Sequence, residues 1–343
     1  MPQSNETRPT VAILGATGAV GREALRILEE RRLPPEQLRL FASARSAGKT
    51  LPYRGETLPV EEATEEKLQT CGADLVLGMT SAAVARRFAP AITASGALFV
   101  DNSSAFRGEP AVPLVIPTVN PEAAAAHRGI LSVPNCTTVI TLTAVAPIHR
   151  LSPVQSMIVS SYQAVSGSGE KGITQLHGEG KALAEGLPLP PPTAYAHQIA
   201  GNLLPQIGDL LPAGFTTEEA KMQREGRKIL QTEALTVNCT CVRVPILRCH
   251  SVSVTLRTAD PLPLAAVREA LISAPGVRYS EGEAYPMPLL AAGQDDVLVG
   301  RLRADPTGPR GISFFCCGDQ LRRGAATTAV EIGKLALRNR QPG

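Results

Sequence analysis

Val11-Ala-Ile-Leu-Gly15-Ala-Thr-Gly18-Ala-Val-Gly21-Arg-Glu23 is the stretch that decides the fold of this chain. Residues 11–14 form a short apolar run that reads as a strand, and the three glycines form a turn. Over 23–32, Leu25, Ile27 and Leu28 recur at helical spacing until Pro34-Pro35 ends the helix. At such a turn the glycines let the main chain approach a pyrophosphate closely, and the free N–H groups and dipole of the helix start favour an anion. The spacing is G-x-x-G-x-x-G rather than G-x-G-x-x-G, so a tight strand-to-helix turn without a ligand is the alternative reading. Further strands are expected at 38–43, 74–79 and 97–101, with a helix over 81–94. Short apolar strands alternating with amphipathic helices imply right-handed crossovers, hence an α/β fold with a Rossmann-type, doubly wound parallel sheet.

Beyond Asn135 the texture changes. Longer strands, partly alternating, are expected at 155–165, 235–247, 251–258, 297–303 and 311–317, interleaved with helices near 169–184, 217–230 and 264–273. That pattern predicts an α+β domain with a mainly antiparallel sheet. Leu187-Pro-Leu-Pro-Pro-Pro-Thr193 reads as a stiff loop, and a last helix over 321–338 opens on the small residues Gly324, Ala325 and Ala326 that close packing requires. The expected domains are 1–135 for the dinucleotide and 136–319 for catalysis, with 320–343 returning to the first.

Composition narrows the class. The 343 residues carry a net charge of +3 and are 43% hydrophobic and 19% charged, a balance that excludes a disordered or fibrous chain. So small a charge gives no reason to expect nucleic acid or an anionic membrane as partner. Residues 1–9 are polar and no later run approaches the ~20 apolar residues of a membrane span, so a cytoplasmic protein is expected. Seven scattered cysteines, an odd number, do not suggest a disulfide framework, and no spacing suggests a metal.

At the end of the second strand an NAD-binding fold would carry an acidic residue for the ribose 2′-OH. Here stand Ser43, Arg45, Ser46 and Lys49, a set suited to a 2′-phosphate and therefore to NADP, unless Arg45 and Lys49 only solvate a loop. Cys136 precedes an apolar segment over 139–148 that reads as a helix, where the dipole would stabilise a thiolate; a small buried hydrophobe is the bland alternative. Of the other thiols, Cys239 and Cys241 share one face of a strand, Cys316 and Cys317 lie in an apolar strand, and Cys71 lies in a loop. A nucleophilic Cys wants a His, and spacing alone does not choose among His127, His149, His177, His197 and His250.

Gly15–Gly21, Ala42–Lys49, Asp101-Asn-Ser-Ser-Ala-Phe-Arg107, Val112-Pro-Leu-Val-Ile-Pro117, Pro134-Asn-Cys-Thr-Thr138, Tyr162-Gln-Ala-Val-Ser-Gly167, Arg243-Val-Pro-Ile246, His250-Ser251 and Gly318-Asp-Gln-Leu321 occur in that order. In them the chain resembles the bacterial aspartate-semialdehyde dehydrogenase family from Val11 to the last helix. The resemblance implies NADPH-dependent reductive dephosphorylation of L-aspartyl 4-phosphate, with Cys136 as the thioacyl-forming nucleophile, His250 as acid/base and Gln163 orienting the substrate. It further implies Arg107, Lys221 and Asn102 at the phosphoryl group, Arg243 on the substrate carboxylate and Glu218 facing its amine. Without it, Thr216 to Lys221 reads as a capped helix start with an exposed Glu218–Lys221 pair. For the cofactor it implies Gly15, Thr17, Gly18, Ala19 and Val20 at the pyrophosphate, Ser43, Arg45 and Ser46 at the 2′-phosphate, and Ser166, Gly167 and Gln320 near the nicotinamide. A homodimer or homotetramer is implied as well, making the second domain also the dimerisation domain.

Two departures stand out. Thr137 replaces a common Ser, and Cys249 replaces a Gly or other small residue, which would bring a second, oxidisable thiol near the site. The rivals are N-acetyl-γ-glutamyl-phosphate reductase, whose blocked amine does not suit Glu218, and a non-catalytic NADP-binding sensor. A short-chain dehydrogenase is excluded because no Tyr has Lys four residues later.

Overall fold

The computed structural model describes residues 9–338; the polar stretch before them and residues 339–343, which the expected domain limits include, lie outside the described residues. The chain divides into two compact units, one of 1–117, 121–133 and 326 onward, the other of 118–120 and 134–325.

The first unit contains β1 (Val11–Leu14), α1 (Ala19–Glu30), β2 (Leu38–Ala42), β3 (Thr50–Tyr53), β4 (Glu56–Glu62), α2 (Glu65–Thr70), β5 (Leu75–Gly78), α3 (Ala82–Ala94), β6 (Leu98–Asp101) and β7 (Ile130–Ser132). Its seven-stranded sheet runs β3-β4-β2-β1-β5-β6-β7, and every pairing except β3 with β4 is parallel. Period-two alternation within β1 sorts the core onto two faces. Val11 and Ile13 pack with Leu40, Leu77, Leu25 and Leu28, whereas Ala12 and Leu14 pack with Phe41, Phe99, Phe88 and Ile92. Helices therefore cover both faces, as a parallel sheet requires. The C-terminal helix, Thr327–Arg338, joins the first face through Val330 and Ile332, each burial contributing about 1.5–3 kcal/mol.

The β3–β4 hairpin, α2 and β7 go beyond the expected elements. Pro52 and Pro59 hide the hairpin's strand character, yet Arg54 and Gly55 both have positive φ, 51° and 82°, as a two-residue turn of the primed type demands.

The second unit contains α4 (Cys136–Leu151), β8 (Val154–Gln163), α5 (Glu170–Glu185), α6 (Thr217–Leu230), β9 (Thr236–Arg243), β10 (His250–Thr258), α7 (Leu264–Ser273), β11 (Val277–Tyr279), α8 (Pro288–Ala291), β12 (Val297–Ala304) and β13 (Gly311–Gly318). The sheet runs β11-β12-β13-β10-β8-β9, antiparallel in its three inner pairings and parallel in the two outer ones. One face packs on α4, which is buried on all sides from Thr137 to Ile148. The opposite face leaves Ile158 60% and Tyr162 38% exposed, with the Tyr162 ring 6.4 Å from that of Phe315. β9 is shorter than expected and stops at Arg243, just before Pro245. The last helix does not begin as an α-helix at 321: a π-turn over Arg322–Ala326 precedes it.

The first glycine turn shows how closely its elements approach. A Cβ on Gly21 would stand 2.1 Å from the Gly15 carbonyl oxygen and 2.9 Å from Ala16 Cα, backbone atoms that cannot swing aside. Gly21→Ala should therefore cost at least about 2 kcal/mol of stability. An unchanged urea-unfolding midpoint would show that the turn opens freely.

Candidate active site

In the first unit the strand order reverses at β1, which lies between β2 and β5, and ligands of open α/β sheets bind beyond the carboxyl ends of strands at such a switch point. The glycine turn leaves β1 there. Gly15 has φ +93°, and a Cβ on it would meet the Met79 carbonyl oxygen at 2.4 Å. Gly18 is the N-cap of α1; no side chain caps this helix start, and its first turn, which begins with Ala19 and Val20 after Thr17, carries no acidic residue. A helix N-terminus of this kind suits a pyrophosphate. At the end of β2, Ser43 caps a short turn over Ala44–Ser46, with Ser43 and Arg45 exposed and Ser46 buried. Arg107 is buried in this unit, its Nε donating to Val133 O at 2.9 Å and its Nη2 to Asn102 O at 2.9 Å.

In the second unit Cys136 is the first residue of α4 and only partly buried. Asn135 caps the helix: its Oδ1 accepts from the backbone N–H of Thr137 and Thr138 at 3.0 and 3.4 Å. Asn135 is itself held, since its N–H donates to Glu225 Oε2 at 2.7 Å and its Nδ2 to Glu218 Oε1 at 2.9 Å. Glu218 also accepts from Gln163 Nε2 at 3.3 Å and pairs with Lys221 Nζ at 2.8 Å. Burial pushes the Glu218 carboxyl up, but the Lys221 ammonium and the two amide donors outweigh it and hold the group below its usual range.

Thr216 and Glu219 do form the capping box, with Glu219 N donating to Thr216 Oγ1 at 3.2 Å and Thr216 N to Glu219 Oε2 at 2.7 Å. The Glu218–Lys221 pair is nevertheless not an exposed ornament of that helix start: its side chains are only 10% and 23% exposed.

Ala164 joins the remaining groups. Its carbonyl accepts from Arg243 Nη1 at 2.7 Å, and its N–H donates to His250 Nδ1 at 3.1 Å. Because Nδ1 accepts, the neutral imidazole carries its proton on Nε2, which has no hydrogen-bond partner among the described residues. A Cβ on Gly167 would lie 3.1 Å from Arg243 Nη1 and 3.3 Å from His250 Nε2, so both groups face that backbone. Burial, reinforced by the Arg243 charge, lowers the histidine from its ordinary 6.5 to about 3. Gln320 Nε2 donates to Ser166 Oγ, and Gln320 Oε1 accepts from Cys249 N at 2.7 Å.

Sequence reasoning missed several parts. The Asn135 cap was legible, since Asn before an apolar helical run is an N-cap signal, but Glu225 beneath it carries no signal at all. Gly324 reads only as close packing, whereas a Cβ there would stand 2.9 Å from Cys136 Cβ, so the π-turn packs directly against Cys136. Cys249 precedes His250 as expected, at φ +78°, but it packs with Ala291, Leu298 and Cys317. Among the described residues no cluster of His, Cys, Asp or Glu is suited to a metal ion, and no helix is long and apolar enough to cross a membrane.

Comparison with known proteins agrees with this geometry. The family described as semialdehyde dehydrogenase, NAD binding domain, matches residues 10–127, and that described as semialdehyde dehydrogenase, dimerisation domain, matches 145–323. An aspartate-semialdehyde dehydrogenase of Synechocystis sp. is 44% identical over 330 residues, covering 95% of this chain and 97% of the relative. The crystal structure of aspartate semialdehyde dehydrogenase II from Vibrio cholerae superposes with a TM-score of 0.94 at 38% identity, over 98% of this chain and all of that one. The same enzyme complexed with ASA matches equally well, at 37% identity, TM-score 0.94 and the same coverage. A reactive-type cysteine on a capped helix, a buried neutral histidine and both matched domains have one common account: the chain belongs to the aspartate-semialdehyde dehydrogenase family.

Proposed function

We propose that this protein catalyses the NADPH-dependent reductive dephosphorylation of L-aspartyl 4-phosphate to L-aspartate 4-semialdehyde. The observation that carries the reading is the unbroken line of contacts from the Cys136 helix cap through Glu218, Gln163 and Ala164 to Arg243 and His250. Acyl transfer to a thiol followed by reduction uses all of these groups, whereas a non-catalytic NADP-binding sensor would need none of them.

The N-terminus of α4 stabilises the Cys136 thiolate, which attacks the acyl carbon; the C–S bond forms as the C–O bond to phosphate breaks. Arg107, Lys221 and Asn102 would balance the charge of the departing phosphate. Arg243 would grip the α-carboxylate and Glu218 the α-ammonium, while Gln163 sets the carbonyl against the thiol. Glu218 is held anionic in the structure, which favours a free amine over the N-acetylated substrate of the rival reductase. NADPH, when bound, supplies the hydride that converts the thioester to the aldehyde level. His250 Nε2–H donates a hydrogen bond to the oxyanion of the tetrahedral thiohemiacetal, which collapses to the aldehyde as the C–S bond breaks and the thiolate leaves.

The open face at Gly18 and the cationic, carboxylate-free end of β2 fit the cofactor's phosphates. Gly15, Thr17, Gly18, Ala19 and Val20 would hold the pyrophosphate, Ser43, Arg45 and Ser46 the 2′-phosphate, and Ser166, Gly167 and Gln320 would lie at the nicotinamide. The unit of 1–135 would thus be the dinucleotide domain, joined by 320–343, and 136–319 the catalytic one. The uncovered sheet face with Ile158, Tyr162 and Phe315 supports a homodimer formed through this domain. A thiol enzyme of this kind belongs in the reducing cytoplasm.

Cys136→Ala should abolish NADPH formation from aspartate semialdehyde and phosphate, by a factor of about 10³ or more, while still binding NADP. Turnover near the wild-type rate would remove the covalent mechanism. Arg45→Ala should raise the KM for NADP about tenfold and leave that for NAD unchanged, since only the former has a 2′-phosphate to lose. The histidine has a pH signature too. Folded, it takes up its proton near pH 3 rather than 6.5, so the unfolded chain binds more protons between those values and stability declines as pH falls through that window. His250→Gln should flatten the decline; identical pH profiles of urea unfolding for both proteins would contradict it.

A further inference from the structure

Arg243 is 6% exposed and lines one end of a cavity of about 670 Å³ with Ser168, Tyr195, His197, Gln206 and Asp209. Its backbone is fixed on both sides: β9 pairs with β8 through Gln163 opposite Arg243, and Leu204 exchanges two backbone hydrogen bonds with Arg243 at 2.9 and 3.0 Å. Its guanidinium, by contrast, has one hydrogen bond along an edge, Nη1 to Ala164 O, and Nε has no partner among the described residues. One bond alone does not fix the plane of the group. The guanidinium stands over the Tyr195 ring, with Arg243 Cζ 5.8 Å from the ring centroid.

Tyr195 is well anchored for a loop residue. Its hydroxyl donates to Ser168 Oγ at 3.0 Å and lies 3.3 Å from Val165 O. Gly172 leaves it room, since a Cβ there would stand 2.7 Å from the hydroxyl oxygen. The loop backbone is captured by α5: Gln175 Oε1 accepts from the N–H groups of Thr193, Ala194 and Tyr195 at 3.0, 2.7 and 3.1 Å. Buried Glu179 then accepts from Gln175 Nε2 at 2.8 Å and from Ile199 and Ala200 N–H at 2.8 and 2.9 Å. Two buried polar side chains, one turn apart on α5, thus satisfy five backbone donors of the 193–200 loop, three on Gln175 and two on Glu179, more than covering a surface requires.

We propose that Tyr195 is a positioning residue that fixes the plane of the Arg243 guanidinium for the α-carboxylate of an amino-acid semialdehyde, and that Gln175 and Glu179 hold Tyr195 in place. The inference rests on the reading of Arg243 given above. With the Tyr195 ring beneath its Cζ and a carbonyl holding Nη1, the guanidinium keeps donors for a bidentate carboxylate.

The test compares kcat/KM for aspartate semialdehyde with that for 3-aminopropanal, which lacks the carboxylate, in wild type, Tyr195→Leu, Tyr195→Phe, Arg243→Ala and the Tyr195→Leu/Arg243→Ala double variant. Tyr195→Gln replaces the leucine variant should that one fold poorly. Tyr195→Leu should raise the KM for aspartate semialdehyde about tenfold, with the KM for NADP and the rate on 3-aminopropanal unchanged. Tyr195→Phe keeps the ring and should restore most of the preference. In the Arg243→Ala background, removing Tyr195 should cost nothing more. A Tyr195→Leu effect that multiplies with that of Arg243→Ala, or falls equally on both aldehydes, overturns the proposal. If Arg243→Ala itself leaves the preference intact, the carboxylate reading of Arg243 falls, and the role of Tyr195 falls with it.

Discussion

The cap that Asn135 places on α4 is the constraint on which the site depends. One side chain satisfies two of the N–H groups that a helix start leaves open, and the same residue's remaining donors reach two carboxylates on α6. The apolar helix behind it is buried on every side and cannot slide without opening a cavity, so Cys136 is fixed in position and in electrostatic environment together. Gly324 closes the other flank, and only a glycine permits the approach. The environment of this thiol is therefore set by the helix end as well as by its own neighbours.

A second economy operates at Ala164, whose two backbone groups orient opposite chemistries. Its N–H selects the histidine tautomer with the proton on Nε2, and its carbonyl takes one edge of the arginine. The nearby guanidinium and complete burial then keep the imidazole neutral. Such a group presents one N–H donor and no charge. Gly167 leaves the backbone bare where both side chains converge.

Much of this was legible before any coordinates. The strand-turn-helix at Gly15 announces its fold because glycine spacing and apolar periodicity are local properties, and the sorting of alternate β1 residues onto two buried faces agrees with it. The helices over Thr217–Leu230 and Leu264–Ser273 begin and end where their periodicity does. The β3–β4 hairpin was not legible, because prolines at 52 and 59 argue against strands that only edge pairing rescues. Nor was the π-turn at Arg322–Ala326, since nothing local distinguishes it from an ordinary helical start.

The sequence by itself determined the fold class and the glycine turn, because spacing and residue chemistry act over a few neighbours. Through the family resemblance it also named Cys136 and His250. Tertiary structure alone decided that Glu225 supports the cap, that Glu218 serves three partners, that His250 is neutral and that Tyr195 lies over Arg243. Those outcomes depend on burial and on groups up to 90 residues apart in the chain, as Asn135 and Glu225 are, and no local pattern records which distant side chain will satisfy a buried polar atom.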